Sequence, residues 1–315
     1  MTQKTAAENP ALVCPENFSV ALGIPAYNEF GRIGLLLRQV LSQNDFHPEK
    51  IVVNTSGSTD DTLDEVIGVS KELLAGSFVE VINNSERTGK AGALDEILKV
   101  CDSDIVIFVD GDVKLSRGCF RELLKPFSDD SIGVVSGNVM SLNGDTDGFF
   151  GYVSFLERQL HHELCVDLVR EGKPPKVNGT FFAVKRKVTD HIPKQTVSDD
   201  EYVSWNAQKK GFAVTYAPYA IVYTKDPENL ADYISKRRRI FAGHMVVKKT
   251  IGYTVPTTKF SKVIPRLLKI MIKEKSKILY AIMMLHLQLA SYILAVLDVT
   301  FGNVPYRYRV ESAKF

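Results

Sequence analysis

Two aspartates flank a single glycine in Asp110-Gly111-Asp112, directly after the apolar run Ile105-Val106-Ile107-Phe108-Val109. Carboxylates this close along a chain can share a hard divalent cation, and such a cation can hold diphosphate oxygens. The apolar, mostly β-branched run before them reads as a strand buried on both faces. In an open α/β sheet, ligands bind outside the carboxyl ends of the strands, which is where this pair emerges. A plain turn with an Asx cap would use the same residues, so other strand ends have to weigh in.

They do. Gly23-Ile24-Pro25-Ala26-Tyr27-Asn28-Glu29 closes the first strand, where proline breaks the ladder and leaves polar side chains and amides at the sheet edge. Asn54-Thr55-Ser56-Gly57-Ser58-Thr59-Asp60-Asp61-Thr62 follows the second strand and feeds a helix, whose N-terminus can offer amides to a nucleotide. In Glu86-Arg87-Thr88-Gly89-Lys90-Ala91-Gly92, after the third strand, Arg87 and Lys90 stand beside small residues that let a phosphate approach. Ser198-Asp199-Asp200-Glu201 enters a helix, where acidic residues either complement the helix dipole or supply a general base. Each loop alone has an ordinary structural reading, but four consecutive polar strand ends make a shared ligand the better one. His161-His162-Glu163 sits on a long helix; adjacent histidines point to different faces and form no simple chelate.

The elements that would position these residues alternate. Strands are expected at Phe18–Gly23, Ile51–Val53, Phe78–Ile82 and Ile105–Asp110, with helices at Gly31–Gln43, Thr59–Ser70 (capped by Ser58 or Thr59) and Lys90–Val100 between them. That pattern implies βαβ units and a mainly parallel sheet. Beyond Asp112 the expected elements are a strand at Ile132–Val139, a helix at Phe149–Arg170 and a strand at Gly179–Val184. A helix at Asp199–Lys210, ended by Gly211, and strands at Phe212–Tyr216 and Ala220–Thr224 complete them.

In this order the motifs resemble the family 2 glycosyltransferases of the GT-A fold. The residues are Pro25–Glu29, Gly57–Asp60, Gly89–Leu94, Asp110–Asp112 and the Asp199-Asp200 pair, and the resemblance covers about residues 18–224. It implies a GT-A, nucleotide-diphospho-sugar transferase-like α/β fold with a mixed, mostly parallel sheet flanked by helices. It further implies that Pro25, Ala26, Tyr27, Glu29, Ser56, Arg87, Lys90, Asp110, Gly111, Asp112 and Gly179 line the donor site. Asp110 would contact the ribose and Asp112 the metal, Mg²⁺ or Mn²⁺, with Asp110 beside it. Asp200, with Asp199 next to it, would be the catalytic base. Asn178-Gly179-Thr180 with Lys185-Arg186 resembles the acceptor side. Two positions depart from the pattern: Thr55-Ser56-Gly57-Ser58 stands where Asp-Asp-Gly-Ser is usual, and Asp199-Asp200 stands for Glu-Asp. The first removes an acidic contact to the base, which leaves uridine against guanosine open. Tyr233–Phe241 replaces a Gln-x-x-Arg-Trp motif without its Gln and Trp. Arg238 or Arg239 would approach the diphosphate there, and processive polymerisation is unsupported.

The 315 residues carry a net charge of +2, but the basic excess is concentrated. Between Lys236 and Lys277 only Glu274 opposes a long series of lysines and arginines. Val263, Ile264, Leu267, Leu268, Met271 and Ile272 form an apolar face opposite Lys262, Arg266, Lys269 and Lys273, the pattern of an interfacial helix. Ile278–Leu297 follows without a charge. Arg307, Arg309 and Lys314 after it favour an interfacial or re-entrant helix on the cytoplasmic face over a translocated end. A buried core helix or a homo-oligomer interface is the other reading of that stretch. Cys14, Cys101, Cys119 and Cys165 are scattered and read as reduced thiols. Residues 1–17 read as a flexible start without a secretory signal.

The expected organisation is a flexible 1–17, a catalytic domain over 18–225 and a basic helical membrane-interacting region over 226–315. The expected function is metal-dependent, inverting transfer from a nucleotide-sugar, UDP-sugar favoured, to a lipid-linked or membrane-proximal glycan acceptor, with no nucleic-acid partner. A sugar-nucleotide nucleotidyltransferase would instead carry a Gly- and Arg-rich loop after the first strand. A non-catalytic sugar-nucleotide-binding scaffold at the membrane would release no nucleoside diphosphate.

Overall fold

The computed structural model describes residues 18–73, 76, 78–142, 148–256, 263–268 and 277–302. The expected flexible start, Cys14, residues 262 and 269–273 of the basic amphipathic segment and the basic tail after 302 lie outside the described residues.

The elements in chain order are β1 (Val20–Pro25), α1 (Ile33–Leu41), β2 (Lys50–Asn54), α2 (Thr62–Glu72), β3 (Val79–Ile82), α3 (Gly89–Val100) and β4 (Ile105–Val109). Next come β5 (Lys114–Leu115), α4 (Cys119–Leu124), β6 (Ile132–Ser141), α5 (Gly148–Arg170), β7 (Phe181–Lys185), α6 (Asp199–Lys209), β8 (Ala213–Thr224), α7 (Leu230–Ile251) and α8 (Ile278–Phe301). The first half follows the expected alternation. Helix α2 starts later than expected, at Thr62, because Ser58 and Thr59 are used elsewhere and Asp60 Oδ1 accepts from the Thr62 amide at 3.1 Å.

The strands form one sheet in the order β3-β2-β1-β4-β7-β6-β8-β5. The β3-β2-β1-β4 half is parallel, β7 runs antiparallel to both β4 and β6, and β6 pairs with β8 in parallel. The reversal of β7 matters for function, because its beginning rather than its end meets the carboxyl end of β4: Val109 pairs with Phe181, and the Asp110 amide donates to Thr180 O at 3.0 Å. The two strands expected at 212–224 are one bent strand, β8. Its register against β6 slips between Tyr216↔Ser136 and Ile221↔Asn138, and Pro218, which cannot donate to a ladder, sits in the slip. Its carbonyl accepts from Asn138 Nδ2 at 3.1 Å. The short β5, pairing with β8, has no counterpart among the strands expected from sequence.

Alternate residues of β4 enter two cores. Ile105, Ile107 and Val109 pack with α1, α2 and α4, while Val106 and Phe108 pack with α3 and α6. All five are buried, as a strand covered on both faces requires. Full burial of each such side chain stabilises by about 1.5–3 kcal/mol. This rigid layer delivers Asp110 and Asp112 to the sheet edge.

The C-terminal helices pack back on the α/β unit. Tyr152, Leu156 and Leu160 of α5 form a third cluster with Tyr233 of α7 and Ala281 and Met284 of α8. The basic run on α7 is largely paired: Arg238 with Asp298 of α8, Arg237 Nη1 3.6 Å from Glu157 Oε2, and Lys236 Nζ 3.8 Å from Asp226 Oδ1. Thus Arg238, expected near a diphosphate, is tied instead to α8, because Asp298 is buried against it and needs a cation.

Candidate active site

The loops after β1, β2 and β4 converge. Ala26 N–H donates to Asn54 O at 2.8 Å, continuing the β1–β2 ladder past Pro25. Asn28 takes a left-handed conformation (φ 56°), and its side-chain oxygen accepts from the Thr59 amide at 2.8 Å. Ser58 Oγ donates to Ala26 O at 3.3 Å, and the Glu29 amide donates to Thr62 Oγ1 at 2.8 Å. Ser56 Oγ accepts from the Asn84 amide at 3.0 Å, which joins the loop after β3 to the loop after β2. Gly57, at φ +72°, lies so close to Arg87 that a Cβ would come 2.6 Å from its backbone Cα. Arg87 then lays its guanidinium 3.7 Å from the centre of the Tyr27 ring. The hydroxyl-rich segment therefore works mainly as a brace among three loops.

Gly111 sits against Pro25, Ala26 and Glu29; a Cβ there would stand 3.1 Å from Glu29 Cγ and 3.4 Å from Pro25 O. Glu29, Asp110 and Asp112 thus crowd together, with Arg32 Nη2 2.8 Å from Glu29 Oε2. Burial, and then the Asp112 charge, push Glu29 up to about 8 despite Arg32, and burial with the Asp110 charge raises Asp112 as well. Like charges held together in this way favour a bound cation.

Lys90 joins the end of β4 to the chain just before β7. Its Nζ lies 2.5 Å from Asp110 Oδ1 and donates to Gly179 O at 2.9 Å. Burial alone would favour the neutral amine, but Asp110, Asp199 and Asp200 outweigh it and raise the Lys90 pKa. The Gly179 amide donates to Asp200 Oδ2 at 3.2 Å, so one residue, through its N–H and its C=O, links the β4 carboxylate, by way of Lys90, to the α6 carboxylate. Burial lifts Asp199 to about 6 against the pull of Lys90. Asp200 goes the other way: burial would raise it, but Lys176 and Lys90 hold it below the usual carboxylate range.

Lys176 and His244, which sequence reasoning does not single out, join the site together with Glu201, which it names only as part of the acidic cluster. Lys176 Nζ lies 3.2 Å from Asp200 Oδ2 and 3.3 Å from Glu201 Oε1, and His244 of α7 lies 3.9 Å from the same Glu201 oxygen. The sequence signal for Lys176 is its place two residues before Asn178-Gly179. For His244 there is none, since only the return of α7 brings it near. Of the adjacent histidines, His162 Nδ1 lies 2.9 Å from Tyr216 OH, and His161 contacts Cys165 at 3.7 Å. Cys101, Cys119 and Cys165 are buried free thiols.

Residues 15–243 match the family described as "Glycosyltransferase like family 2". The chain belongs to the family 2 glycosyltransferases. Poly-beta-1,6-N-acetyl-D-glucosamine synthase of Staphylococcus aureus is 25% identical over 262 residues, covering 80% of this chain and 61% of that protein. The homologous stretch thus spans under two thirds of that relative. Among solved structures, a mannosyltransferase from Pyrobaculum calidifontis in complex with GDP-Man and Mn²⁺ aligns with TM-score 0.66 at 18% identity, over 90% of this chain and 88% of that one. Glucosyl-3-phosphoglycerate synthase from Mycobacterium tuberculosis, with Mn²⁺, UDP and glucosyl-3-phosphoglycerate, aligns with TM-score 0.50 at 19% identity, over 73% and 80%. At these identities the likeness establishes a shared GT-A fold.

Among the described residues of this family 2 glycosyltransferase, no group of three or more His, Cys, Asp or Glu side chains forms a metal cage. The crowded carboxylates do fit a Mg²⁺-type ion that takes one or two carboxylates and completes its shell with substrate phosphates.

Proposed function

We propose that this glycosyltransferase moves a sugar, with inversion, from a nucleoside-diphosphate sugar to an acceptor hydroxyl. One observation carries the reading: Gly179 holds Asp200 through its backbone amide and Lys90, with Asp110, through its carbonyl. A base-type carboxylate and a donor-side carboxylate are therefore held in fixed relation to each other. Pro25, Ala26, Tyr27, Glu29, Ser56 and Arg87 would line the nucleotide side, with the Tyr27 ring and the stacked Arg87 as a platform. Asp112, with Asp110, would hold Mg²⁺ or Mn²⁺, which when bound would neutralise the leaving diphosphate.

Asp200, kept ionised, takes the acceptor hydroxyl proton as the oxygen bonds to the anomeric carbon. The bond from that carbon to the diphosphate oxygen breaks with its electron pair, and the nucleoside diphosphate leaves. Lys90 offers a positive charge on the donor side of the same step.

A UDP-sugar is favoured by the family resemblance and by the UDP held in the mycobacterial synthase; the GDP-Man held by the archaeal enzyme keeps a guanosine donor in the panel. The acceptor is a lipid-linked or membrane-proximal glycan on the cytoplasmic face. Support comes from the apolar α8 and from a relative named for making an amino-sugar polymer.

The test is release of nucleoside diphosphate from UDP-glucose, UDP-N-acetylglucosamine and GDP-mannose with Mn²⁺, with and without chelator. Turnover should need the metal, and Asp112→Asn should lower it by about 100-fold or more, the scale of losing one strong electrostatic contact. No release from any of these donors, or an unchanged Asp112→Asn enzyme, would overturn the proposal.

A further inference from the structure

Behind Asp200 lies a set of buried charges that the reaction itself does not use. Glu201 is wholly buried on α6, where an apolar residue would ordinarily cost less. Its partner is Lys176, which also reaches Asp200 Oδ2 and donates to Val177 O at 3.1 Å. Asp200 Oδ2 thus accepts from both Lys176 and the Gly179 amide, whereas Oδ1 accepts from the Glu201 amide at 2.9 Å. A carboxylate oxygen has two acceptor positions, so Oδ1 keeps one open.

We infer that Lys176, clamped by Glu201, is a positioning residue that pins Oδ2 of Asp200 and leaves Oδ1 to take the acceptor proton. The inference rests on Asp200 being the base in the reaction proposed above. Four helices bring charge to the clamp. Helix α6 supplies Asp199, Asp200 and Glu201, and α3 supplies Lys90, which also favours ionised Asp200. Helix α5 supplies His161 and Arg158, and α7 supplies His244. Both imidazoles are driven neutral, first by burial and then by Lys176 itself, so neither replaces the ammonium. The Tyr253 hydroxyl lies beyond Glu201 and bonds Ser204 Oγ at 3.0 Å. Among the described residues, Lys176 is the cation that touches Asp200 from this side. Through His244 and Glu201, helix α7 of the C-terminal region also abuts the clamp.

The decisive measurement is the titration of the Asp200 side-chain carboxyl by ¹³C NMR, assigned by loss of its resonance in Asp200→Asn, alongside kcat and KM for the preferred donor. Lys176→Met should raise the Asp200 midpoint by about one pH unit or more, the effect of removing an adjacent opposite charge. It should move the acid limb of kcat by the same amount, a loss of about tenfold at pH values on that limb that fades toward neutral pH, with donor KM within about twofold. Lys176→Arg should recover most of kcat, and Glu201→Gln, which frees the clamp but keeps the cation, should fall between. An Asp200 midpoint unchanged in Lys176→Met overturns the inference, as does a kcat loss with the acid limb in place. Should Lys176→Met fail to fold, the titration and acid limb of Glu201→Gln decide instead, an unchanged pair being fatal. A wild type without donor turnover sinks the proposed activity, while the titration still decides the role of Lys176.

Discussion

Single side chains at this site are governed by what burial does to charge. His161 shows the effect outside the reaction. It is enclosed on α5 beside Cys165, and burial, followed by the charges of Lys176 and Arg158, lowers its pKa from 6.5 to about 3. In the unfolded chain it takes a proton near pH 6.5, whereas the folded protein refuses one until about pH 3. Its contribution therefore favours folding least at low pH: stability is lost as pH falls below 6.5. Glu201 and Asp199 act in the opposite sense, because burial raises their folded pKa values to about 7 and about 6. The wild-type curve mixes these signs, so the comparison with His161→Gln is the informative one. Between about pH 7 and about pH 5 the variant should gain about 2 kcal/mol on the wild type in chemical denaturation. A difference independent of pH would mean that His161 titrates normally when folded.

Secondary elements matter here for where their ends meet. The loop after β2 reads in the sequence as a nucleotide cradle, yet Ser56, Ser58 and Thr59 spend their hydrogen bonds on the neighbouring loops. Gly57 is the point of closest approach, with φ +72° and no room for a Cβ beside the Arg87 backbone. Gly57→Ala should lower stability by about 1–3 kcal/mol, from left-handed strain plus a displaced neighbour. Because Arg87 would be pushed off the Tyr27 ring, donor KM should rise several-fold as well. Gly211→Ala, also at positive φ (+82°) but with nothing within 4 Å, should show the strain alone. Equal donor KM in the two variants would remove the brace from the account. The element least visible in the sequence is β7, whose direction no local pattern encodes. Helix α7 is equally hidden, since its buried face mixes Asp232, Tyr233, Ala242, Gly243 and Val247 and shows no clean apolar stripe.

At the scale of the whole molecule, α8 stands out as 24 residues long, with mean hydropathy 1.8 in its most apolar window. Its small and polar residues Ala281, Ser291, Ala295 and Asp298 are buried, whereas Leu285, Leu289, Ile293 and Leu297 are exposed. The exposed apolar residues Ile264 and Leu268 lie in the basic stretch just before it. An apolar face preceded by basic chain suits an anionic lipid surface. The protein should sediment with vesicles containing phosphatidylglycerol, less so at high salt. Leu289→Glu with Ile293→Glu should weaken this at least about tenfold, two exposed side chains each contributing on the order of 1.5 kcal/mol or more when buried, with thermal stability retained. Vesicle binding unchanged by the pair, or a dimer in gel filtration that the pair dissociates, would assign the face to a second copy of the chain.

The residue order by itself determined the alternating β/α half, the buried β4 and the polar loops at four strand ends. These follow from short-range rules: apolar runs, turn residues and helix periodicity act within one element. It also carried the family, through motifs whose order survives when their contacts are unknown. What only tertiary structure decided was which of those loops touch, and how. The antiparallel β7 brings Gly179 between Lys90 and Asp200, the return of α7 places His244 behind Glu201, and Arg238 is drawn to Asp298. A buried charge must find its partner wherever the chain supplies one, at a separation no local pattern reveals. Asp110 and Asp112 could be read from the sequence, but the Lys176–Glu201 pair behind Asp200 appeared only on folding.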